Sequence, residues 1–166
     1  IRDKDKQAEL EASGQTEDGV AALFSLSTEG GAASIIYKGD PLIAPPGMYV
    51  DNDGVTWLLD HRAAGEQGEG VLWAIPADGS AATAVVSNLN MGTVGGCSLP
   101  AGGGTAVIPT KDADGNAQLT SVHIASGEMA QFATPDLIHP SGLRTARKAG
   151  VFAVVDSEAG AIYRAE

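Results

Sequence analysis

Short runs of apolar residues alternate with turn-forming residues along most of the chain. The pattern is clearest in residues 46–60, where apolar runs at 48–50 and 55–59 flank an Asp-Asn-Asp-Gly turn at 51–54. β-Branched, aromatic and large aliphatic residues favour strands, whereas Asp, Asn and Gly tolerate the positive φ angles of a tight turn. This stretch therefore predicts a β-hairpin.

The hairpin pattern recurs twice. Counted from Gly47, Gly96 and Gly142, the intervals are 49 residues (47 to 96) and 46 residues (96 to 142). A second kind of strand pair lies between the copies, at 20–26 with 33–37, 71–75 with 82–86, and 119–124 with 129–132, and a last strand is expected at 161–164. A period of 40 to 50 residues with four strands is typical of a β-propeller blade. A β-sandwich is the alternative, but it does not predict near-copies of one four-stranded unit.

Composition supports an all-β globular protein. The 166 residues are 43% hydrophobic and include 22 Gly and 8 Pro, as expected for many short strands and turns. The formal net charge of −11 repels phosphate backbones and so argues against nucleic acid as a partner. No run of 18 apolar residues is present, and no membrane span is predicted.

Three sequence features resemble the NHL/YWTD-like β-propeller superfamily. They are a Pro-x-Gly start at 140–142, second strands that end in Asp at Asp60 and Asp156, and a Gly-Ala-Ile-Tyr-Arg third strand at 160–164. The resemblance covers residues 20–166 and implies the fold rather than one activity, because the superfamily includes lactonases, lyases, ligand-binding modules and adhesive domains. Residues 96–124 depart from the pattern, since Thr-Ala-Val-Ile-Pro replaces the aromatic second strand.

We label the strands of each repeat a to d from the Gly47-type start. The fold prediction is one partial propeller domain over 1–166, with about three and a half four-stranded antiparallel blades and boundaries near 44, 92 and 138. Residues 1–19 are predicted as a charged loop, with a short surface helix as the alternative. Because the strand order starts within a blade, we expect the C-terminal half of a longer propeller. The missing blades would lie on a second polypeptide, a cleaved N-terminal half or another copy, and would cover apolar faces around Leu23–Phe24 and around Val154 with Ile162.

Candidate chemistry lies on the face formed by the d-to-a and b-to-c loops, where propellers place their channel sites. The candidate ligand-binding residues are His139, Asp136, His61, Asn90 and Asn88. His139, beside the expected channel, is the candidate catalytic base or ligand, with a structural role as the alternative. His123 falls in a strand and is expected to be a packed or rim histidine.

The acidic residues and the cysteine have structural interpretations. Asp60 and Asp156 recur at the end of strand b, which favours a repeated task such as capping loop N–H groups. Asp112, Asp114 and Asn116 resemble part of a calcium loop, so calcium is the one cofactor suggested. The loop lacks the remaining ligands of an EF-hand, notably a Glu at the twelfth position, and this favours a polar loop tip. The single cysteine, Cys97, is expected to be a small buried hydrophobe.

The sequence favours an extracytoplasmic scaffold or a module that binds a ligand or another protein, without catalysis. Its localisation would be periplasmic, secreted or lipid-anchored, an expectation that rests on the habit of the family. The alternative is a divalent-metal-dependent lactonase or lyase with its site in the central channel. Two structural expectations accompany this reading: helix should be nearly absent, and Trp57 and Trp73 should be buried between blades.

Overall fold

Twelve strands form four antiparallel sheets. The computed structural model describes residues 20–63, 69–91, 96–97, 103–134, 136–146 and 150–165, and these contain no helix. The strands are β1 (Ala22–Ser25), β2 (Ser34–Lys38), β3 (Gly47–Val50), β4 (Thr56–Asp60), β5 (Glu69–Ile75), β6 (Thr83–Asn90), β7 (Thr105–Lys111), β8 (Ala117–His123), β9 (Met129–Ala133), β10 (Pro140–Thr145), β11 (Phe152–Asp156) and β12 (Ala161–Ala165). None of the described residues forms a helix of the length and hydrophobicity that a membrane crossing requires.

Consecutive strands pair within each sheet. The first sheet is β1-β2, the second is β3-β4-β5-β6, the third is β7-β8-β9 and the fourth is β10-β11-β12. The complete four-stranded unit predicted for the second repeat is confirmed. The expected strand a of the third repeat falls largely on residues 98–102, which lie outside the described residues. The predicted charged loop at 1–19 and the repeat boundary near 92 also lie outside them.

The hairpin at the centre of the sequence pattern forms as predicted. The Asp51 carboxylate Oδ1 accepts hydrogen bonds from the backbone N–H groups of Asp53 and Val55, each at 3.0 Å. Gly54 has a φ of 80°, which a residue with a Cβ rarely adopts. The other carboxylate oxygen of Asp51 accepts a hydrogen bond from the Trp57 indole Nε1 at 2.8 Å, which ties the turn to the first residues of β4.

Apolar side chains are buried between successive sheets, in three clusters. The cluster between the first and second sheets contains Leu23, Leu42, Leu58, Val71, Trp73 and Ile75. The cluster between the second and third sheets contains Trp57, Leu59, Leu72, Val86, Leu89, Met91, Cys97, Ala106, Ile108 and Val122. The cluster between the third and fourth sheets contains Val107, Leu119, Leu137, Leu143 and Val154.

The two tryptophans lie on opposite faces of the second sheet. Trp57 is 8% exposed and packs toward the third sheet, and Trp73 is 9% exposed and packs toward the first. The prediction that both are buried between blades is confirmed. Cys97 is 1% exposed, and burial raises the pKa of its thiol to about 12, so the thiol is a packed hydrophobe.

The faces left uncovered at the two ends differ by one residue from those expected. Leu23 is 6% exposed and Val154 is 1% exposed, because both pack inside the array. The uncovered cross-strand pairs are Phe24 with Ile35 and Val155 with Ile162. Successive side chains of a strand point to opposite faces, so neighbours of a buried residue are the ones that face outward.

The turns between strands c and d rest against the preceding sheet. Gly79 has a φ of 67°, and a Cβ built on it would collide with the backbone carbonyl of Ile36 in β2. Gly127, in the corresponding turn of the third sheet, lies near the Val85 carbonyl oxygen, 3.5 Å from a built Cβ. Glycine at position 79 therefore allows a close contact between sheets, whereas at position 127 a Cβ would make an ordinary van der Waals contact.

Gly79→Ala should lower the thermal unfolding midpoint far more than Gly160→Ala. Gly160 also has a positive φ, 61°, but nothing lies within 4 Å of a built Cβ, so its substitution carries only the left-handed backbone cost of about 1 kcal/mol. Gly79→Ala adds a backbone collision worth about 1–3 kcal/mol. Circular dichroism melts of the two variants test this, and equal midpoints would contradict the close contact with Ile36.

The candidate loop-face site

Two sets of loops meet on one side of the array. In the second and fourth sheets, the loop that enters the sheet is hydrogen-bonded to the Asp at the end of strand b, where the b-to-c turn begins. Asn90, the last residue of β6, donates a hydrogen bond from Nδ2 to the carbonyl oxygen of Asp112, which follows β7 of the third sheet, at 3.0 Å. We call this side, formed by residues 38–46, 60–63, 111–118, 133–134, 136–141 and 156–160, the loop face.

Asp60 and Asp156 organise the loop face in the same way. The Asp60 carboxylate accepts hydrogen bonds from the backbone N–H groups of Ile43 (2.7 Å), Ala44 (3.1 Å) and Arg62 (3.1 Å). Each aspartate is the last residue of strand b in its sheet, and both are buried: Asp60 is 0% exposed and Asp156 is 1% exposed. Each therefore fastens the incoming loop to the b-to-c turn, which is the repeated structural task that the sequence predicted.

The Asp156 carboxylate accepts four backbone hydrogen bonds. The donors are the N–H groups of Ile138 (2.7 Å), His139 (2.9 Å), Glu158 (3.1 Å) and Ala159 (2.9 Å). Burial by itself raises the pKa of this carboxyl, but the four N–H groups favour the ionised form and bring the pKa below its ordinary value. Asp156 is thus a structural anion.

The two loop-face histidines occupy different positions and have different partners. His139 is partly exposed, and its Nδ1 lies 4.0 Å from Oε2 of Glu158. His61 follows Asp60 directly, and its Nδ1 lies 2.8 Å from the carbonyl oxygen of Ala44. Because a carbonyl oxygen only accepts, His61 carries its proton on Nδ1 in this contact.

The main chain of His139 is held on both sides. Its N–H donates to Asp156, and its carbonyl oxygen accepts the N–H of Ser157 at 3.1 Å. The backbone of His139 is thereby held in place, and its partly exposed imidazole lies next to Glu158. The sequence pattern did not single out Glu158 as a loop-face residue. Its position two residues after the recurrent Asp156 could have indicated that it lies there.

The remaining candidates do not converge on one point. Asp136 is exposed, and its carbonyl oxygen accepts a hydrogen bond from the Tyr163 hydroxyl at 3.0 Å. Asn88 is exposed with a φ of 60°, within β6. Within the described ranges, no hydrogen bond or ion pair joins the side chains of the five candidate ligand-binding residues to one another, so their joint role stays a prediction.

The calcium-like loop has the geometry of a hairpin turn. Oδ1 of Asp112 accepts the N–H groups of Asp114 (2.9 Å) and Asn116 (2.8 Å), as Asp51 does in its own turn. Oδ2 accepts a hydrogen bond from the Asn116 side-chain amide at 3.0 Å, and this bond, with the backbone N–H groups, lowers the pKa of Asp112. The Asp112 carboxylate stabilises the turn. In the described part of the chain, no three His, Cys, Asp or Glu side chains come together in a group that could hold a metal ion.

His123 is the last residue of β8 and lies outside the loop face. It is exposed, and its Nδ1 lies 2.9 Å from the Ser126 hydroxyl in the following turn. Its place is therefore at the rim of the third sheet, one of the two positions that the sequence allowed.

Comparison with solved structures identifies the architecture. A chain in the crystal structure of a nidogen/laminin complex matches with a TM-score of 0.69 and 14% identity, over 90% of this chain and 52% of that one. TolB from Acinetobacter baumannii matches with a TM-score of 0.65 and 12% identity, over 86% of this chain and 34% of that one. The β-propeller domain of Myceliophteria thermophila Cps50 (Swd1) matches with a TM-score of 0.60 and 11% identity, over 98% of this chain and 55% of that domain.

These matches are β-propeller proteins, so the predicted fold class is confirmed as all-β with propeller-like antiparallel sheets. The chain spans about half the length of the nidogen-complex and Cps50 chains, and about a third of TolB. No family model matches the sequence, and no curated protein matches it. The finer assignment to NHL or YWTD repeats therefore stays an interpretation of the sequence.

Replacing Asp156 with Asn should flatten the acid side of the pH–stability profile. Because the folded-state pKa of Asp156 is lowered, its contribution is present above the unfolded-state pKa of about 3.9 and is lost as the pH falls through the lower folded-state value. Asp156→Asn should be less stable than the parent at pH 7 and should lose less stability between pH 5 and pH 2.

Thermal melts across this pH range provide the measurement. Asp114→Asn is the matched control, because its side chain is exposed at a turn tip. An Asp156→Asn profile parallel to that of the parent would show that the four N–H groups do not depend on the ionised carboxylate.

Proposed function

We propose that this chain is part of an extracytoplasmic β-propeller that serves as a scaffold or protein-binding module, completed by blades on a second polypeptide or an N-terminal half. The observation that carries the proposal is the apolar face of the fourth sheet. It has the chemistry of a buried inter-sheet face, yet no described residue covers it.

The second sheet provides an internal standard for that face. Leu59 precedes Asp60 and pairs with Leu72, and both side chains are 0% exposed against the third sheet. Val155 precedes Asp156 and pairs with Ile162 at the corresponding positions, and they are 43% and 76% exposed. A fifth sheet packed on the fourth would bury this pair as the third buries Leu59 and Leu72.

The opposite end of the array shows the complementary face. Phe24 and Ile35 pair across β1 and β2 on the side away from the second sheet, and are 52% and 56% exposed. Met48 and Val50 of β3 are also about half exposed, at 48% and 52%, on the side where the inner strands of the first repeat are expected. Both ends are thus suited to further sheets, in keeping with a chain that spans about half of the propellers it matches.

Charge and the fold comparison support a protein partner. The net charge of −11 disfavours nucleic acid and anionic lipid, and the nidogen match comes from a complex with another protein, laminin. The extracytoplasmic location rests on the sequence resemblance. A metal-dependent lactonase or lyase would need ligands that the described residues do not bring together, so we propose the binding module alone.

Sedimentation velocity of the purified 16.8 kDa chain tests the proposal. The exposed apolar faces should make the isolated chain self-associate, and Ile162→Lys should shift it toward the monomer because a charge opposes burial of that face. The control is Ile138→Lys, since Ile138 is 56% exposed but lies on the loop face.

A second measurement concerns the native protein. Its mass in the source organism should exceed that of the single chain, with additional propeller sequence in the complex or in the same polypeptide. A parent chain that is a compact monomer with a cooperative thermal transition would overturn the proposal.

A further inference from the structure

A cavity opens on the loop face where the third and fourth sheets meet. One wall is the turn that joins β7 to β8, and the other is the loop that leads from β9 into β10. Its volume of about 660 Å³ lies within the range of roughly 300–1,000 Å³ that ligand pockets usually have. The lining includes Asp112, Asn116, Thr134, Leu137 and Ile138. We call this cavity the turn-loop cleft.

The loop wall of the cleft presents an apolar side chain on a well-held backbone. Leu137 is buried between the third and fourth sheets, and its N–H donates to the carbonyl oxygen of Thr134 at 2.9 Å. The N–H of Ile138 donates to the buried Asp156 carboxylate at 2.7 Å. Ile138 nevertheless has 56% of its surface exposed. An exposed isoleucine therefore stands beside the cleft at a position that the fold fixes.

The same loop arrangement occurs at the entry to the second sheet. Residues 42–47 read Leu-Ile-Ala-Pro-Pro-Gly, and residues 137–142 read Leu-Ile-His-Pro-Ser-Gly. Ile43 is 54% exposed, and its N–H donates to the Asp60 carboxylate at 2.7 Å. Ile43 does not line the turn-loop cleft. It is therefore an internal control for Ile138, with the same exposure and the same backbone anchor.

The polar side chains of the cleft present oxygen atoms on both walls. On the turn, the Asn116 side-chain amide donates to Oδ2 of Asp112 at 3.0 Å. On the loop, the Thr134 hydroxyl donates to the carbonyl oxygen of Ala117 at 3.3 Å. Both donors are used within the protein, and the amide oxygen of Asn116 and the hydroxyl oxygen of Thr134 remain as acceptors.

Asp112 adds a negative charge to these acceptors. Its Oδ1 accepts two backbone N–H groups and its Oδ2 accepts the Asn116 amide, whereas a carboxylate offers about four acceptor positions. The bond from Asn116, with the backbone N–H groups, lowers the pKa of Asp112. The carboxylate is therefore ionised at neutral pH, and Oδ2 has room for one more donor.

The amide of Gln118 does not belong to this polar lining, although Gln118 borders the cleft. Leu119 packs toward the fourth sheet, and Val122 packs toward the second. Because side chains alternate along a strand, the Gln118 side chain is directed to the same face as Val122. A ligand in the cleft thus meets acceptor oxygens on both walls and an aliphatic surface between them.

We propose that the turn-loop cleft binds an arginine side chain of a partner protein. A guanidinium has five N–H donors and no acceptor, and its planar fork reaches oxygens on both walls better than the ammonium of lysine. The aliphatic stem of the arginine lies against Ile138. The ionised Asp112 and the net charge of −11 favour a cation. This inference rests on the proposed function and names the side chain by which a protein partner is recognised.

The charged groups next to the cleft set the expected strength of binding. Lys111 lines a small neighbouring cavity with Ile138 and His139 and opposes a cation in the cleft. A second neighbouring cavity is lined by Asp136 and Arg164, whose charges oppose each other. Replacing Lys111 with Gln should therefore strengthen binding of an arginine peptide by about two- to fivefold.

A synthetic peptide tests the inference directly. The probe is Gly-Ser-Leu-Arg-Leu-Ser-Gly with blocked ends, and the control peptide has citrulline, which is neutral and of the same shape, in place of arginine. Methyl NMR of the isoleucine-labelled full chain follows both titrations. The arginine peptide should shift the Ile138 signal and not that of Ile43, and it should bind about tenfold or more tightly than the citrulline peptide.

Matched variants locate the site. Asp112→Asn keeps an oxygen for the turn but removes the charge, and should weaken binding of the arginine peptide about tenfold. Asp114→Asn removes the same charge at the exposed turn tip, outside the cleft lining, and should change binding less than about threefold. Equal effects of these two variants would show that the peptide responds to net charge alone and would overturn the inference.

The isoleucine pair gives a second comparison that is independent of charge. Ile138→Ser should weaken peptide binding about fivefold, and Ile43→Ser should leave it within about twofold. Both side chains are more than half exposed, and their N–H anchors to Asp156 and Asp60 do not depend on the side chain. Equal effects of these two variants would also overturn the inference.

Two further outcomes decide the kind of ligand. The cavity is larger than one side chain, so residues beside the arginine should add to binding, and arginine amide alone should bind more weakly than the peptide. Equal affinity of the two would assign the cleft to a small cation and overturn the protein partner. If the arginine peptide does not shift Ile138 while the native protein contains further blades, this inference fails and the proposed function stands.

Discussion

The structure depends on burial of apolar residues between successive sheets. No sheet here is thick enough to bury its own side chains, so Leu59, Leu72 and Ile75 reach 0% exposure only because sheets lie on both sides of the second one. The same constraint explains the ends of the array. A sheet with one neighbour buries one face, and the other face keeps the apolar pattern of an interface without its partner.

The buried aspartates solve a second problem that this packing creates. Loops that pass from one sheet to the next must bring backbone N–H groups close to the protein interior, where unpaired donors are costly. Asp60 and Asp156 supply acceptors at the end of strand b, where the incoming loop crosses the b-to-c turn. The loop face is therefore built around two buried, structural aspartates, and the accessible polar groups are at its edges, where His139 and Glu158 lie near each other.

The second and fourth sheets show how a neighbouring sheet changes the exposure of the same unit. The second sheet has four strands and packs against a neighbouring sheet on each side. The fourth sheet has the same strand order and the same Asp, and among the described residues it has three strands and packs against the third sheet alone. The two sheets are copies of one unit, so the exposure of Val155 and Ile162 against the burial of Leu59 and Leu72 measures the effect of a neighbouring sheet.

The sequence by itself determined the strands, the turns and the repeat, because period-2 alternation and turn-forming residues act over a few positions. The recurrence of Asp60 and Asp156 also revealed a structural role for them. Only the tertiary structure decided which atoms they bind, since their partners lie up to 18 residues away. It also decided that Val155, and not Val154, faces outward, because alternation defines two faces without saying which one meets a neighbour.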